Sequence, residues 1–372
     1  MISRDPGIVR EGSDVQKRMA EYGALADELH IVVFTTRDLK DSHFKIHVSE
    51  NVWVYPTHSR NKWFYVHDAY VVAKSIMQAS SFKPQDSLIT VQDPFETGVV
   101  GWLVARRYHV SLQLQVHTDL FSPYFMRESL LNRIRVFIAK FLIPRASGIR
   151  VVSERIKKSL IASCFKIHAS RIAVLPIFVD VQKIKDAPVK IDLRTKYPQF
   201  DFVALMASRF TKEKNIPMAL AAMAETVKKH PKAGLIIVGS GPEEAKLKLL
   251  ATRHSPLSNV IFESWTDDLA SYYKTADVFV LTSDYEGYGR TVIEAEAAGC
   301  PVIMTDVGIA GEAIKHGGNG LIVPIGDAQA LADVMSSVIE KKAVLHASLP
   351  EQLTKEAYLA AYRASWEKTM IR

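Results

Sequence analysis

The stretch "SDYEGYGRTVIEAEAAGCPVI", Ser283 to Ile303, decides the fold, because it joins a glycine-bracketed turn to a helix start and an apolar strand. Glycines let a backbone approach a bound group closely, and a helix begins with N–H groups at the positive end of its dipole. Glu286 lies in the turn, and Glu294 lies eight positions later inside the predicted helix. The stretch therefore predicts a strand-to-helix turn that suits a diphosphate, with two carboxylates able to accept hydroxyl groups.

Short apolar runs rich in β-forming residues alternate with helical stretches on both sides of this turn, which is typical of parallel sheets covered by helices. The first half contains strand candidates that begin at Leu29, Val52, Leu88, Val110, Gly148 and Ile172. The second half restarts the pattern with strand candidates that begin at Phe202, Gly234, Asn259, Val278, Pro301 and Gly320. The sequence thus predicts an α/β protein with two Rossmann-like, doubly wound parallel sheets.

The domain limits follow from a polar stretch in the middle of the chain. Residues 180–199 are rich in charge, contain two prolines and show little periodicity, as a connection between domains does. We therefore predict an N-terminal domain at 1–179 and a C-terminal domain at 180–354. Residues 355–372 form a final helix with Leu359, Tyr362 and Trp366 at helical spacing.

The composition is that of an ordinary globular protein, with 48% apolar and 23% charged residues among 372. Cys164 and Cys300 are far apart, without a second thiol or histidine at metal-ligand spacing, which argues against a disulfide framework or a zinc site. The N-terminus has no apolar signal core, and no run of eighteen apolar residues occurs. These features favour a reducing, cytoplasmic location.

The net charge of +7 is concentrated in one part of the chain. Between Gly101 and Arg171 there are thirteen basic residues, one of them Lys166, against three acidic ones. Such an excess attracts anionic membranes, nucleic acid or phosphorylated substrates without choosing among them.

Two cations follow the first strand of the second half, in "SRFTKEKN". Arg209 and Lys214 are five residues apart and are expected at the carboxyl end of a parallel strand, where ligands of such sheets bind. Cations held there stabilise the charge that a diphosphate leaving group acquires in the transition state. The alternative is a basic loop exposed to water. The glycines of "GSGPEE" are interpreted as turn residues, and His117, at the end of a first-half strand, as a structural or a catalytic histidine.

The order "ASRFTKEKN", "IIVGSGPE", "TSDYEGYGRTVIEAEAAGCPVI" and "NGLIVPIGD" resembles the C-terminal domain of family 4 glycosyltransferases. The resemblance spans Phe202 to Met335, and "VHTD", "IRVVSE" and "VLPIFVD" extend a weaker one through the first half. It implies the GT-B architecture, two Rossmann-like domains facing a central cleft, with a last helix that returns to the N-terminal domain. It also implies a retaining enzyme that moves a sugar from a nucleotide-diphosphate sugar to a hydroxyl acceptor in polysaccharide, glycolipid or other glycoconjugate biosynthesis.

The resemblance implies a role for each matching residue. Glu294 holds the donor ribose, Glu286 holds the donor sugar and His117 lies beside the transferred sugar, the last two as catalytic residues. The donor diphosphate is held by Arg209, Lys214, Gly287, Tyr288, Gly289 and Arg290. Gly12 belongs to an N-terminal loop, "VREGSD", that a short first strand should precede, and only Met1 to Ser3 remain for it. Ile177 and Phe178 replace an Asn-Gly pair at the linker entry. No cofactor, metal or nucleic-acid partner is implied.

The segment Glu128 to Arg145 reads as a basic amphipathic helix. Its apolar face is expected to carry Leu130, Leu131, Ile134, Phe137, Ile138, Phe141 and Leu142, with Arg133, Arg135 and Lys140 outside it. Such a helix either packs its apolar face on the domain core or rests on an anionic membrane surface and presents a lipid-linked acceptor. In the second case the protein is peripheral on the inner face of the membrane.

Three other functions fit parts of the pattern. A GT-B epimerase would convert the nucleotide sugar without an acceptor, and a catalytically silent protein would only bind it. A glycoside hydrolase would use Glu286 and Glu294 as acid and base, but it needs carboxylates that flank a sugar cleft. A further alternative for the two glutamates is a turn residue and a solvated helix carboxylate.

Overall fold

The computed structural model of the protein describes residues 1–37, 45–79, 83–163, 167–254 and 257–371. Cys164 and Lys166 lie outside these residues. The chain divides into two compact units. Unit 1 comprises Met1–Phe121, Ser129–Pro176 and Lys355–Arg372, and unit 2 comprises Ser122–Glu128 and Ile177–Thr354.

The strands are β1 (Ile2–Ser3), β2 (Leu29–Val33), β3 (Ile46–Ser49), β4 (Val52–Pro56), β5 (Leu88–Val91), β6 (Ser111–Val116), β7 (Gly148–Val151), β8 (Ile172–Val174), β9 (Phe202–Ala207), β10 (Ala233–Val238), β11 (Val260–Glu263), β12 (Val278–Leu281), β13 (Val302–Thr305) and β14 (Gly320–Val323).

The α-helices are α1 (Asp14–Gly23), α2 (Tyr65–Ala79), α3 (Glu96–Tyr108), α4 (Pro123–Glu128), α5 (Leu130–Leu142), α6 (Glu154–Ala162), α7 (Val181–Asp186), α8 (Leu193–Lys196), α9 (Ile216–Lys229), α10 (Glu244–His254), α11 (Leu269–Thr275), α12 (Arg290–Ala297), α13 (Ala328–Ile339) and α14 (Lys355–Met370). Short 3-10 helices lie at Pro6–Val9, Lys62–Phe64, Pro84–Asp86, Ile143–Arg145, Ala169–Arg171, Lys212–Lys214 and Leu257–Asn259.

Over the described residues, each unit is built on one sheet. The order in unit 1 is β3-β4-β2-β1-β5-β6-β7-β8, and the order in unit 2 is β11-β10-β9-β12-β13-β14. Neighbouring strands are parallel except at the β3–β4 edge, which is antiparallel. Each of the twelve strand candidates contains an observed strand, so the predicted fold class is confirmed. The antiparallel β3 was not predicted.

The first strand is short but central. Ile2 and Ser3 are both buried, and Ile2 pairs with Val32 of β2 on one side and Val91 of β5 on the other. A strand of two residues is held in register here because it is hydrogen-bonded to a neighbouring strand on each side. The loop that carries Gly12 therefore does follow a strand.

The core of unit 2 explains why its strands are easy to recognise. β9, β10 and β12 are buried almost throughout, and α9 and α13 pack together over the sheet. Strands covered on both faces read as continuous apolar runs rather than alternating ones. The carboxyl ends of these strands carry the candidate site.

The last helix, α14, packs on β5, β6 and β7 of unit 1. Tyr362 stacks on Tyr22 of α1 with ring centroids 4.4 Å apart, and Gln113 donates to the Ser365 carbonyl at 3.0 Å. Of the three residues at helical spacing, Tyr362 and Trp366 are buried. Buried aromatic contact of this kind holds α14 against the sheet.

Unit 2 includes two segments that the sequence division assigned to the N-terminal domain, Ser122–Glu128 and residues 177–179. The ring of Phe125 in α4 meets the ring of Tyr285 edge to face, 5.3 Å between centroids, and the Tyr285 hydroxyl donates to the Glu128 carboxylate. These contacts explain why residues 122–128 belong with unit 2. The sequence did not reveal this, because periodicity carries no information about such packing. Among the described residues no helix has both the length and the apolarity to cross a membrane.

Candidate functional site

The loops that follow β9 and β12 are joined by main-chain and side-chain hydrogen bonds. Asp284 N donates to the Glu213 carbonyl at 2.8 Å, and the Thr282 hydroxyl donates to the Lys214 carbonyl at 2.9 Å. Asn215 donates to the Asp284 carboxylate at 2.7 Å and caps α9 with a left-handed φ of 42°. The two loops therefore act as one rigid support for the side chains they carry.

Lys214 and Glu286 form an ion pair on this support. The same Glu286 oxygen accepts from the Ser283 hydroxyl at 2.8 Å, and both charged side chains are largely buried. A partly buried ion pair needs such extra hydrogen bonds to offset the cost of desolvating its charges. Lys214 is thereby held at the carboxyl end of the sheet, where an anion entering the site would compete with Glu286 for it.

Arg209 has a different environment. Its side chain is 76% exposed and pairs with Glu213, with 3.3 Å between Nη2 and Oε1, while Glu213 also accepts from the Thr211 hydroxyl at 2.7 Å. An exposed guanidinium has few packing constraints, so it is free to adopt other rotamers. Sequence spacing placed Arg209 and Lys214 together, but in the structure each has its own carboxylate partner.

The start of α12 is a glycine. Gly289 has φ of 94° and occupies the N-cap of α12, where it contributes no side chain to the first N–H groups of the helix. Gly308, after β13, approaches the same loop so closely that an added Cβ would lie 2.5 Å from the Tyr288 carbonyl oxygen. Tyr288 O also accepts from Ile309 N at 3.1 Å. The first turn of α12 thus begins without a side-chain cap, and the close approach of Gly308 fixes the main chain ahead of it.

Glu294 is buried inside α12 and both of its carboxylate oxygens have partners. Arg290 Nε lies 2.7 Å from Oε1, and the Tyr273 hydroxyl donates to Oε2 at 3.2 Å. Burial, followed by the nearby Glu294 charge, raises the pKa of Tyr273 and keeps it a donor. Glu294 is therefore an oriented acceptor and not a solvated helix carboxylate.

The glycines of "GSGPEE" serve the turn, in line with their interpretation. A Cβ on Gly239 would lie 1.9 Å from the Ser208 carbonyl oxygen, and one on Gly241 would lie 2.5 Å from the Phe210 carbonyl oxygen. Only glycine permits this close approach of the β9 and β10 loops.

Several site residues were not recognised from the sequence. Ser283, Tyr273 and Asn215 orient the two glutamates and the supporting loops, and Asp284 lies between the loops. Burial and the Glu128 charge raise the pKa of Asp284, while the Asn215 amide opposes that shift. Ser283 and Asp284 stand next to the recognised glutamate motif, but Tyr273 has no local signal because it reaches Glu294 from another helix.

The other two predicted residues belong to unit 1. His117, at the end of β6, lies with Nε2 3.1 Å from Gln115 Oε1. Burial, then the charges of Arg150 and Arg18, lower the pKa of His117 to about 3, so its ring is neutral. Gly12 has φ of 70° with nothing near a Cβ, so it is required for its left-handed backbone rather than for close approach.

Over the described ranges, no group of three or more His, Cys, Asp or Glu side chains is arranged to hold a metal ion.

Comparison with protein-family models matches the chain twice. Residues 192–360 match the model of "Glycosyl transferases group 1", and residues 19–183 match that of "Glycosyltransferase Family 4". The two matches do not overlap, and together they include every candidate site residue except Gly12.

Curated relatives match part of the chain. It is 29% identical over 230 residues to the alpha-monoglucosyldiacylglycerol synthase of Streptococcus pneumoniae, covering 59% of this chain and 52% of that protein. It is 30% identical over 167 residues to the lipopolysaccharide core biosynthesis glycosyltransferase LpsE of Rhizobium meliloti, covering 43% and 48%. The chain thus spans about half the length of these curated relatives.

Solved structures match over the whole chain. Anabaena Alr3699/HepE in complex with UDP-glucose superposes with a TM-score of 0.68 at 21% identity, covering 99% of this chain and 94% of that one. Sucrose-phosphate synthase from Thermosynechococcus elongatus superposes with a TM-score of 0.75 at 22% identity, covering 100% and 95%. At these identities the likeness shows the fold, which is the GT-B architecture.

Proposed function

Because the chain belongs to the family 4 glycosyltransferases, we propose that it transfers a sugar from a nucleotide-diphosphate sugar to a hydroxyl acceptor in glycolipid, polysaccharide or other glycoconjugate synthesis. The observation that carries the proposal is the Lys214–Glu286 ion pair on the loops after β9 and β12, with Glu294 oriented about one turn inside α12. The HepE structures hold UDP, glucose and UDP-glucose, which supports a nucleotide-sugar donor.

The proposed roles follow from the chemistry of each group. Glu294, oriented by Tyr273, accepts the two hydroxyls of the donor ribose. The main-chain N–H groups of residues 287–290 and the ammonium of Lys214 bind the diphosphate, and Arg209 turns from Glu213 to the same anion. Glu286, once released from Lys214, accepts hydroxyls of the donor sugar. By the family resemblance, His117 contacts a hydroxyl of the bound substrate.

In the proposed reaction the acceptor hydroxyl oxygen bonds to the anomeric carbon on the face from which the nucleoside diphosphate departs. The bond between that carbon and the phosphate oxygen breaks, its electron pair stays on the phosphate, and the phosphate takes the acceptor proton. The configuration is therefore retained. Lys214, Arg209 and the start of α12 stabilise the charge that develops on the phosphate, which is the task a divalent cation performs in other enzymes.

A two-step experiment tests this proposal. The protein is screened for thermal stabilisation by UDP-, GDP- and ADP-sugars, and the best ligand is then used in transfer assays with hydroxyl acceptors. We expect stabilisation by one nucleotide class and a product that keeps the anomeric configuration. Isomerised donor without acceptor would show an epimerase, stabilisation without turnover a silent binder, and an inverted product would contradict retention.

We also propose that the surface around α5 rests on an anionic membrane. The helix buries Val136, Ala139 and Leu142, whereas Leu130 is 71% and Phe137 75% exposed. Of the two alternatives for the predicted apolar face, packing on the domain core does not hold for its five most exposed members, which are Leu130, Leu131, Ile134, Phe137 and Phe141. A broad apolar face left in contact with solvent marks an interaction surface.

Cations surround this apolar surface. Lys140 is exposed, and the Arg145 guanidinium lies 3.8 Å from the centroid of the Phe141 ring. Aromatic and basic side chains together are typical of proteins that lie at the membrane interface.

Vesicle flotation tests the membrane proposal. We expect the protein to float with vesicles that contain anionic lipid, and to be released as the salt concentration rises. Equal flotation with purely zwitterionic vesicles, or none with either, would contradict it. A lipid-linked acceptor fits this surface, and one matching relative is named for a glycolipid product.

A further inference from the structure

The amide of Gln115, buried in β6, has hydrogen-bond partners at both ends. Its Oε1 accepts from Arg150 Nη1 at 2.9 Å and lies 3.1 Å from His117 Nε2. Its Nε2 lies 2.9 Å from the Thr90 hydroxyl and 3.0 Å from the Tyr362 hydroxyl. The amide therefore connects the ring of His117 with a buried arginine.

The arginine settles which end of the amide is oxygen. A guanidinium only donates hydrogen bonds, so the atom that faces Arg150 must be an acceptor. Since the Gln115 oxygen is also only an acceptor, the nitrogen of His117 that faces it must carry a hydrogen.

A second chain of hydrogen bonds leads to the same orientation. Gln113 donates through its amide nitrogen to the Ser365 carbonyl at 3.0 Å, so its oxygen faces Thr90 at 3.1 Å. The Thr90 hydroxyl gives its hydrogen to that oxygen and is left to accept from the Gln115 amide nitrogen. Two independent anchors thus assign the same orientation to Gln115.

Arg150 is itself held firmly. It is 3% exposed, and its Nη2 donates to the Leu175 carbonyl at 3.2 Å and to the Tyr358 hydroxyl at 3.2 Å. The guanidinium also lies 4.7 Å from the centroid of the Tyr362 ring. A buried cation with these contacts has little freedom to turn away from Gln115.

We propose that Arg150 and Gln115 are positioning residues that hold His117 as the neutral tautomer with its hydrogen on Nε2. Nδ1 then is the acceptor that the ring offers to a hydroxyl of the bound substrate. The nature of that substrate rests on the proposed function, but the tautomer does not. His117 in this state recognises a hydroxyl by accepting its hydrogen, and it neither donates a proton through Nδ1 nor carries a charge.

The groups around the ring act in the same direction. Burial and the positive charges of Arg150 and Arg18 all disfavour the imidazolium form. Tyr22 and Tyr362 lie near the same guanidinium, and burial, the largest effect, raises the pKa of both phenols, so both stay neutral. No anion from these residues therefore favours a charged ring.

Nitrogen NMR of the full chain labelled with ¹⁵N-histidine tests the proposal directly, because long-range ¹H–¹⁵N correlations distinguish the two neutral tautomers from each other and from imidazolium. The His117→Gln variant identifies the signals. We expect the Nε2–H pattern, unchanged between pH 5 and pH 8. The Nδ1–H pattern, or a ring that becomes charged within this pH range, would overturn the proposal.

The variant Gln115→Leu tests the role of the amide. We expect the single tautomer to be replaced by a mixture, whereas Gln113→Leu, an equal loss of a buried amide two residues earlier, leaves the Nε2–H pattern in place because Arg150 still holds Gln115. An unchanged pattern in Gln115→Leu would show that the amide does not select the tautomer. Since the readout is a ring spectrum, failure of the proposed transfer reaction would leave it intact.

Discussion

Lys214 and Glu286, seventy-two residues apart in the sequence, meet as an ion pair at the carboxyl ends of β9 and β12. In a parallel sheet the carboxyl ends of neighbouring strands lie at one edge, so loops that are distant in sequence meet there. The pair keeps a cation and a carboxylate ready at the proposed diphosphate position. In the proposed function, a bound diphosphate replaces Glu286 as the partner of Lys214, which leaves Glu286 available to sugar hydroxyls.

We expect Lys214→Ala to lower turnover on the order of a hundredfold, as the loss of one charge-stabilising group at a transition state does. Steady-state kinetics with the donor found in the thermal screen measures the effect. Lys212→Ala is the matched control, because Lys212 is an exposed lysine of the same 3-10 turn and is expected to leave turnover unchanged. Equal kinetics in both variants would remove Lys214 from the site.

Replacing Glu294 by Gln should weaken donor binding by roughly tenfold, because a charge-assisted acceptor for ribose hydroxyls is lost. Isothermal titration with the nucleoside diphosphate gives the change in Kd. Glu225→Gln, which breaks an exposed ion pair with Lys228 on α9, controls for the loss of one carboxylate. Undiminished affinity in Glu294→Gln would contradict the ribose assignment.

Two glycine variants separate backbone strain from steric contact. Gly308 and Gly311 both have left-handed φ, but only at Gly308 would a Cβ lie 2.5 Å from the Tyr288 carbonyl. Gly311→Ala is expected to cost about 1–2 kcal/mol through its backbone. Gly308→Ala should cost about 1 kcal/mol more and weaken nucleotide binding as well. Chemical denaturation measures the loss of stability in each variant, and titration with a nucleotide measures binding. Equal effects in the two variants would show that the main chain near Tyr288 moves aside at no cost.

The pH dependence of stability should change when Glu296 is replaced by Gln. This buried carboxyl accepts from Ser348 N at 2.8 Å and from the Asn319 amide at 3.2 Å, yet burial outweighs both bonds and raises its pKa from 4.5 to about 7. Its protonated form is favoured by folding, so between pH 4.5 and pH 7 it makes the native state less stable as pH rises.

Glu296→Gln removes that pH-dependent loss of stability. Between pH 5 and pH 8 we expect the free energy of unfolding of the variant to rise by about 1–3 kcal/mol relative to that of the original chain. Urea unfolding at the two pH values measures this. If both proteins showed the same change with pH, Glu296 would not be the titrating group.

Phe137→Asp places a negative charge at the centre of the proposed membrane surface and should reduce flotation with anionic vesicles. Leu249→Asp is the control, because Leu249 is an exposed apolar residue of α10 in unit 2. An equal loss of flotation in the two variants would mean that the effect comes from overall charge and not from the α5 surface.

Local sequence pattern was informative where one physical signal dominated. Buried parallel strands such as β9, β10 and β12 are continuous apolar runs, and every one was predicted. The edge strand β3 was not, because Ile46–Ser49 is half-polar and gains its structure from pairing with β4. What covers the apolar face of α5 stayed open for a related reason: helical periodicity shows which residues share a face, and not what covers it.

The sequence by itself determined the two sheets, their strands other than the edge strand β3, and the two glutamates eight positions apart, because all of these depend on neighbours along the chain. Only the tertiary structure decided that Lys214 pairs with Glu286, that Tyr273 orients Glu294, and that Arg150 reaches His117 through Gln115. Apart from the local contact between Gln115 and His117, each of these contacts joins separate elements, and its geometry depends on how strands and helices pack. A hydrogen bond forms only when donor and acceptor lie about 3 Å apart and are suitably oriented, so spacing in the sequence does not reveal such partners.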